Sequence, residues 1–418
     1  MTLALSNDSK TDDAKPQAAT TKAVKVKVLV LRGGGGHYAT FLALRDVLAG
    51  QQPHWQLEPI FVDTLGAGTE TQKENKVAHT IGKGSDQFYD LILKNGFGWV
   101  HLITVHIHKV LTRLNHRTEV GLLSDIWQQD PPDLVLSVVP FHNRALWASL
   151  QPTQPGTPVV TLLTDFADSP PAYWVEPSTD NYLICSTEKA VAQAITAGVT
   201  PDRAIKTSGL VIHPKFYRPR SEKIAAERLA LGLEPHRMTG LVLFGANGSK
   251  AMLEIAKRLE PFQDRLQLIF LCGRNQAVAD ALRAKTDGQK RAIISFTEDI
   301  PHYMHLADFF IGKPGNVSVS EAIKMKLPSI VERNFLTLPQ ERYAADWVKE
   351  KQVGLTVASF KEIASAVETL IQPENFARYQ ENLAAFDNQA VFEVPQILQR
   401  ILATHRHPFE SVTPTKNR

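Results

Sequence analysis

The amino-acid sequence predicts an α/β protein of two Rossmann-like, doubly wound domains facing a central cleft. Three observations carry that prediction. A strand-like run, Val24 to Leu31, leads through the tetraglycine turn Gly33-Gly34-Gly35-Gly36 into apolar residues at helical spacing. The alternation of strand and helix patterns pauses over Val211 to Pro219 and starts afresh at Leu241. A mostly apolar run, Leu306 to Ile311, ends in a second glycine turn, Gly312-Lys313-Pro314-Gly315, which opens another helical pattern. Strands that alternate with helices favour parallel sheets, and such sheets bind ligands outside the carboxyl ends of their strands.

Taken in order, Val24 to Leu31 is β-branched or aliphatic apart from Lys25 and Lys27. Ala39 to Leu48 places Phe41, Leu42, Leu44, Val47 and Leu48 on one helical face. Leu57 to Val62 is a second strand ending at Asp63, which completes a βαβ unit. Further on, Leu134–Val139, Val159–Leu163 and Tyr182–Cys185 read as strands, and Asn143–Leu150 and Thr187–Ala197 as helices, divided by proline-rich loops. Val211 to Pro219 has neither periodicity and reads as a linker. The second half then offers strands at Leu241–Phe244, Leu266–Cys272, Ile293–Phe296, Phe309–Ile311 and Ser329–Val331, with helices at Met252–Leu259, Ala277–Lys285 and Ile300–Ala307. Phe376 to Leu402 reads as mostly helical, with a break near Pro395. The expected organisation is a disordered tail over 1–22, an amino-terminal domain over 23–212 and a carboxyl-terminal domain over 213–385. A final helix over 386–405 folds back on the first domain, and a loose tail covers 406–418.

Residues 85–127 stand apart. Aromatic and aliphatic side chains, Phe97 and Trp99 among them, are interleaved with Lys94, His101, His106, His108, Lys109 and Arg113. The pattern fits an ordinary helix packed on the sheet, and equally an amphipathic surface that dips into a lipid interface through Phe97 and Trp99.

Composition narrows the class. Hydrophobic residues at 43% and charged residues at 21% describe a folded chain of 418 residues, long enough for two cores. A net charge of +3 gives no ground for a nucleic-acid partner. The two cysteines, Cys185 and Cys272, lie in apolar runs and read as reduced thiols without metal-binding spacing. The first residues lack the apolar core of a signal peptide, and no window approaches a membrane span. The expectation is a cytoplasmic protein, peripheral on the cytoplasmic face of a membrane. The sequence carries no signal of oligomeric state.

The glycine turns carry the chemistry. Gly315 ends a strand–turn unit whose following helix starts with free N–H groups, and these with the helix dipole suit a phosphate. Glu321 lies one to two turns inside that helix, within reach of ribose hydroxyls on the same phosphates. Two further turns, Gly245-Ala246-Asn247-Gly248-Ser249 and Gly273-Arg274-Asn275, end neighbouring strands. They are expected to open at the same sheet edge, with small residues that let a diphosphate approach the backbone. Ser249 and Ser318 add hydroxyl donors, Arg274 adds a positive charge, and Gln340-Glu341 reaches toward the hydroxyls of a donor sugar or simply forms a surface loop. In the amino-terminal half, Gly34, Gly35 and Gly36 lead into His37 at a helix start, where the positive helix end disfavours protonation and suits a general base. Gly34-x-Gly36-x-x-Ala39 with Asp63 also fits a dinucleotide fingerprint, so an NAD-linked oxidoreductase is a rival.

These segments together resemble the GT-B glycosyltransferases of the monogalactosyldiacylglycerol synthase type, a family shared with the N-acetylglucosaminyltransferase of peptidoglycan lipid intermediates. The resemblance runs through Gly33–His37, Thr164-Asp165, Cys185 to Ala197, Thr207-Ser208-Gly209, Leu271 to Asn275, Gly312 to Ala322 and Pro339-Gln340-Glu341. It implies that Glu321 binds the ribose of UDP, that Val317 and Ser318 lie under the diphosphate, with Gly315 and Asn316 in the same donor-binding helix start, and that Gln340 and Glu341 face the donor sugar. It also implies that the Phe296-Thr297 backbone meets uracil and that His37 and Asp165 present the catalytic or orienting groups of the acceptor side. The implied activity is inverting transfer of a hexose from a UDP-sugar to a lipid acceptor such as diacylglycerol, without cofactor or metal, and the lack of an Asp-x-Asp motif agrees with the last. A UDP-sugar epimerase of the same fold and a non-catalytic lipid-surface protein are two further rivals. Departures such as Gly-Ala-Asn-Gly-Ser after Phe244, and Tyr38 and Phe41 in the first helix, bear on the acceptor more than on the donor.

Overall fold

A computed structural model describes residues 23–32, 36–62, 110 and 112–406. Gly34, Gly35, Asp63, Phe97, Trp99 and both expected tails, apart from Arg406, lie outside the described residues.

Twelve strands among the described residues form two parallel sheets. The first contains β1 (Val24–Val30), β2 (Trp55–Phe61), β3 (Leu134–Ser137), β4 (Val159–Leu162), β5 (Tyr182–Cys185) and β6 (Ala204–Lys206), in the order β2-β1-β3-β4-β5-β6. The second contains β7 (Met238–Leu243), β8 (Leu266–Leu271), β9 (Arg291–Ile294), β10 (Phe309–Gly312), β11 (Ser329–Glu332) and β12 (Gly354–Val357), in the order β12-β11-β10-β7-β8-β9. Strand order therefore reverses between β1 and β3 in one sheet and between β7 and β10 in the other. The crevices at the carboxyl ends of these strand pairs are where open α/β sheets hold ligands.

Helices on both faces explain why the central strands are apolar throughout. Every residue of β8 is buried. Alternate residues of the second sheet divide between two cores. Leu241, Leu243, Ile269 and Phe310 pack toward the helices Asn316–Lys324 and Pro339–Glu350, whereas Val242, Leu268, Phe270 and Phe309 pack toward Ala251–Leu259 and Ile363–Leu370. The two lysines that interrupt β1 are also accounted for. Lys27 is buried and pairs with Glu58 and Asp130, and Lys25 pairs with the same Asp130. Together they pull the Asp130 carboxyl down to about 2.

Several expectations change. The segment Val211 to Pro219, expected as an interdomain linker without periodicity, buries Val211, Ile212 and Phe216 and contains a short 3-10 turn, Pro214–Tyr217. Within the 85–127 stretch, the residues from His116 onward belong to the helix His116–Gln129. Its Leu123 and Trp127 are fully buried, and Trp127 Nε1 donates to Ser149 Oγ at 2.8 Å, so this part is core. The break in the last helical region falls between the helices Pro373–Ala384 and Ala390–Arg406, with Pro395 inside the second. That last helix lays Val391, Val394, Leu398 and Leu402 against Val26, Val28, Leu134 and Leu136 of the first sheet's core. Among the described residues no helix is long and apolar enough to cross a membrane.

Candidate active site

The carboxyl ends of the two sheets meet. Four segments build the contact: the start of the helix Gly36–Gln51 after β1, Val138 after β3, Thr164-Asp165 after β4, and Gly315 to Ser318 after β10. A Cβ on Gly36 would stand 3.2 Å from Val317 Cγ2, so the end of the tetraglycine turn touches the start of the opposing helix.

His37 is held by its Nδ1, which lies 2.7 Å from the Val138 carbonyl oxygen and 3.1 Å from Thr164 Oγ1. A carbonyl can only accept, so Nδ1 carries the proton and Nε2 of the neutral ring keeps its lone pair. Burial holds the imidazole below its ordinary value of 6.5, partly offset by the Val138 hydrogen bond. Trp174 packs beside the ring, with centroids 6.0 Å apart. The neutral tautomer with a free Nε2 is the form that accepts a proton.

Asp165 is buried, and its hydrogen bonds among the described residues go elsewhere than to His37. Its Oδ2 accepts from Trp174 Nε1 at 2.8 Å and its Oδ1 accepts from Asn316 Nδ2 at 2.6 Å. Desolvation, with the nearby charges of Glu341 and Asp168, pushes this carboxyl up to about 7 against the two hydrogen bonds that lower it. Trp174 reaches Asp165 because Asp168 organises the loop between them: its carboxylate accepts from the backbone N–H groups of Ala172, Tyr173 and Trp174 at 2.9, 2.9 and 2.6 Å.

On the other side, Gly315 begins the helix Asn316–Lys324 with an extended φ of −65° and ψ of 127°, and no side chain caps it. The first helical hydrogen bond is from Val319 N to Gly315 O, which leaves the N–H groups of Asn316, Val317 and Ser318 without a helical acceptor. Ser318 Oγ donates to Gly315 O at 3.3 Å. Glu321 is half-buried, with no hydrogen bond or ion pair from its side chain among the described residues, and burial pushes its carboxyl up to about 8. An acid in that state lacks the donors that would stabilise its charge. Gln340 is buried, and Glu341 Oε1 pairs with Lys313 Nζ at 2.8 Å. Both stand in the first turn of the helix Pro339–Glu350 rather than on a surface loop.

The remaining turns of the second sheet lock together. Gly248 (φ +57°) and Gly273 (φ +59°) occupy the left-handed region, and an added Cβ would fall 2.3 Å from Cys272 O and 2.2 Å from Ala246 O respectively. These glycines serve the packing of one turn on the next. Gly245 (φ +74°) faces open space and Asn247 is exposed. Ser249 Oγ accepts from Ala251 N at 3.1 Å, and Asn275 Oδ1 caps the helix Gln276–Arg283 by accepting from Val278 N at 3.2 Å. The Arg274 guanidinium lies over the exposed Phe296 ring at 4.5 Å instead of standing alone as a phosphate ligand, and Thr297 Oγ1 accepts from Asp299 N. Sequence reasoning gave no role to Thr164, Asp168 or Trp174. Thr164 could have been found from its place beside Asp165 at a strand end; Trp174, alone in a proline-rich loop, had no local signal. No group of His, Cys, Asp and Glu able to hold a metal occurs among the described residues.

Comparison with known proteins places this geometry. Residues 103–212 match the family model for monogalactosyldiacylglycerol synthase, and residues 241–386 match the carboxyl-terminal domain of glycosyltransferase family 28. A probable monogalactosyldiacylglycerol synthase 2 of Oryza sativa subsp. japonica is 25% identical over 423 residues, covering 96% of this chain and 86% of the relative. A processive diacylglycerol beta-glucosyltransferase of Bacillus subtilis is 25% identical over 262 residues, covering 60% of this chain and 64% of the relative. Among solved structures, Acinetobacter baumannii MurG superposes with a TM-score of 0.57 at 15% identity over 90% of this chain and 99% of that one. The S. aureus MnaA–UDP co-structure does so with 0.57 at 14% over 94% and 100%, a likeness of fold alone. The chain is a GT-B glycosyltransferase, similar in its amino-terminal half to the monogalactosyldiacylglycerol synthases and in its carboxyl-terminal half to glycosyltransferase family 28.

Proposed function

We propose that this glycosyltransferase moves a hexose from UDP to the hydroxyl of a lipid acceptor of the diacylglycerol class, with inversion, at a membrane surface. The observation that carries the reading is the meeting of His37, neutral and with no hydrogen bond at Nε2 among the described residues, with the uncapped helix start at Asn316–Ser318. In the proposed reaction the acceptor oxygen attacks the anomeric carbon from the face opposite UDP. The bond from that carbon to the β-phosphate oxygen breaks with its electron pair, and the acceptor proton passes to His37 Nε2. The N–H groups of Val317 and Ser318 take the charge that grows on the diphosphate, where pre-aimed donors are worth about 3–4 kcal/mol each. Glu321 receives the ribose hydroxyls, and Glu341, steadied by Lys313, stands on the donor-sugar side. The Arg274–Phe296 pair offers a flat, cationic edge beside the segment assigned to uracil.

The relatives named above differ in their sugar, one a glucosyltransferase and the other a galactolipid synthase by name, so the donor is stated as a UDP-hexose. Purified protein incubated with radiolabelled UDP-galactose, UDP-glucose and UDP-N-acetylglucosamine, each with diacylglycerol in vesicles, is expected to form a glycolipid from at least one. Conversion of the UDP-sugar without any acceptor would favour an epimerase, and nicotinamide binding in place of UDP binding would restore the oxidoreductase. Vesicle binding without any sugar transfer would favour the lipid-surface protein.

Membrane contact rests on the aromatic and basic stretch that contains Phe97 and Trp99. Replacing both by serine is expected to release the protein from anionic liposomes in a sedimentation assay. Retained binding would assign that stretch to the core.

A further inference from the structure

Asn316 is the first residue of the helix assigned to the diphosphate, yet its side chain turns away from the free N–H groups. It is buried, and each of its hydrogen bonds leaves the helix. Nδ2 donates to Asp165 Oδ1 at 2.6 Å and to the Gln340 carbonyl at 3.2 Å, while Oδ1 accepts from the Phe166 N–H at 3.3 Å. Asp165 and Phe166 follow β4, so one carboxamide joins the acceptor-side domain to the helix start and to the donor-sugar helix. The surroundings agree. Phe166 is buried in the core of the second domain, with its ring 5.4 Å from that of Trp347, and Ser169 Oγ donates to Pro339 O at 3.1 Å. Thr164, the neighbour of Asp165, touches His37 Nδ1.

We propose that Asn316 is a positioning residue: its carboxamide clasps Asp165 across the cleft and so sets the distance from His37 to the N–H groups that receive the leaving diphosphate. The proposal rests on the reading above and adds a side chain that touches neither donor nor acceptor. The residue type is dictated by its partners. A carboxylate and a carbonyl each need a donor and an N–H needs an acceptor, and a carboxamide supplies two donors and an acceptor from one planar group. Aspartate there would set two carboxylates together, and an apolar side chain would leave Asp165 short of a partner.

The groups facing the clasp are known. Glu341 is paired with Lys313, Asp168 is held by three backbone amides, Trp174 donates to the far oxygen of Asp165, and His37 lies beyond Thr164 and Trp174. Asp165 itself is pushed up to about 7, so a second carboxyl placed against it shares its proton near neutrality.

The test uses the full chain carrying Asn316→Ala, Asn316→Asp or the exchange Asp165→Asn with Asn316→Asp. UDP affinity, turnover and the radius of gyration by small-angle scattering are measured from about pH 6 to 8.5. N316A is expected to lose about 10- to 100-fold in turnover at every pH with UDP affinity changed less than about twofold. N316D is expected to match N316A above pH 8 and to recover as the pH falls, when one carboxyl gains the proton that replaces the amide donor. Its radius of gyration shrinks in step, and the exchanged pair regains part of the turnover at pH 8. Parallel pH profiles for N316D and N316A, or unchanged turnover in both, would overturn the clasp. A fall in UDP affinity as large as the fall in turnover would make Asn316 a donor ligand instead. Should the wild type transfer no sugar, the transferase reading fails. The scattering measurement still decides the clasp, because an N316D particle that is no larger at pH 8.5 than at pH 6 rules it out.

Discussion

Replacing His37 by alanine is expected to lower sugar transfer by about 100- to 10,000-fold, the range that a positioned general base contributes, while UDP affinity stays within about twofold. The two effects separate because His37 stands on the amino-terminal sheet, with Nδ1 fixed by Val138 O, whereas the uridine diphosphate is assigned to the other sheet. The pH dependence follows from burial. The imidazole is held below 6.5, so the free base persists to lower pH than for an exposed histidine, and the acid limb of kcat/KM lies below pH 6.5. The sign for stability is the same. Between the depressed folded value and 6.5 the unfolded chain binds more protons, so this group's contribution is lost as pH falls through that window. His37→Gln, which cannot titrate, should remove the acid limb together with the turnover. Near-normal turnover in the alanine variant would exclude the base role.

Glu321→Ala is expected to weaken UDP binding by about tenfold or more, since a hydrogen bond to a charged group is worth about 1.5–3 kcal/mol. Burial pushes its carboxyl up to about 8 in the free protein, with no hydrogen bond to it among the described residues. Ribose hydroxyls donate to the ionised form and lower that value in the complex, so binding releases a proton. UDP affinity measured by titration calorimetry should therefore rise with pH up to about 8, and Glu321→Gln should lack that part of the slope. For the free protein the sign is opposite. A carboxyl raised above its unfolded value binds more protons when folded, so its contribution to stability is present at low pH and is lost as pH rises toward 8. An alanine variant with unchanged UDP affinity would remove the ribose assignment.

The architecture was largely legible because long apolar strands and glycine turns report locally. The runs at β1, β3, β5, β8 and β10 read as strands from their side chains alone, and the helix Asn143–Leu150 falls where its spacing predicts. What escaped was short or at an edge. β6 (three residues), β12 and the helix Ile363–Leu370 owe their existence to the neighbours they pair with or cover. Pro339 invited a loop reading but sits at the first position of a helix, where its missing N–H costs nothing. At the site, His37 was marked by its glycine turn and Asp165 by the family resemblance alone. The role of the Asn316 side chain was not, because a partner across a domain boundary has no sequence signature: Asn316 and Asp165 lie 151 positions apart.

The chain's return to its starting domain bears on its biosynthesis. Ala390 to Leu402 roof the apolar face of β1 and β3, and the crossing back is stitched to the outgoing one, with Asn388 Nδ2 on Leu210 O at 2.8 Å and Gln389 N on Ser208 Oγ at 2.7 Å. A nascent polypeptide that has emerged only as far as β6 still exposes Val26, Val28, Leu134 and Leu136 to water. The lobe synthesised first is thus the last to be completed, and any chain that ends before residue 388 leaves both the roof and the hinge stitching missing.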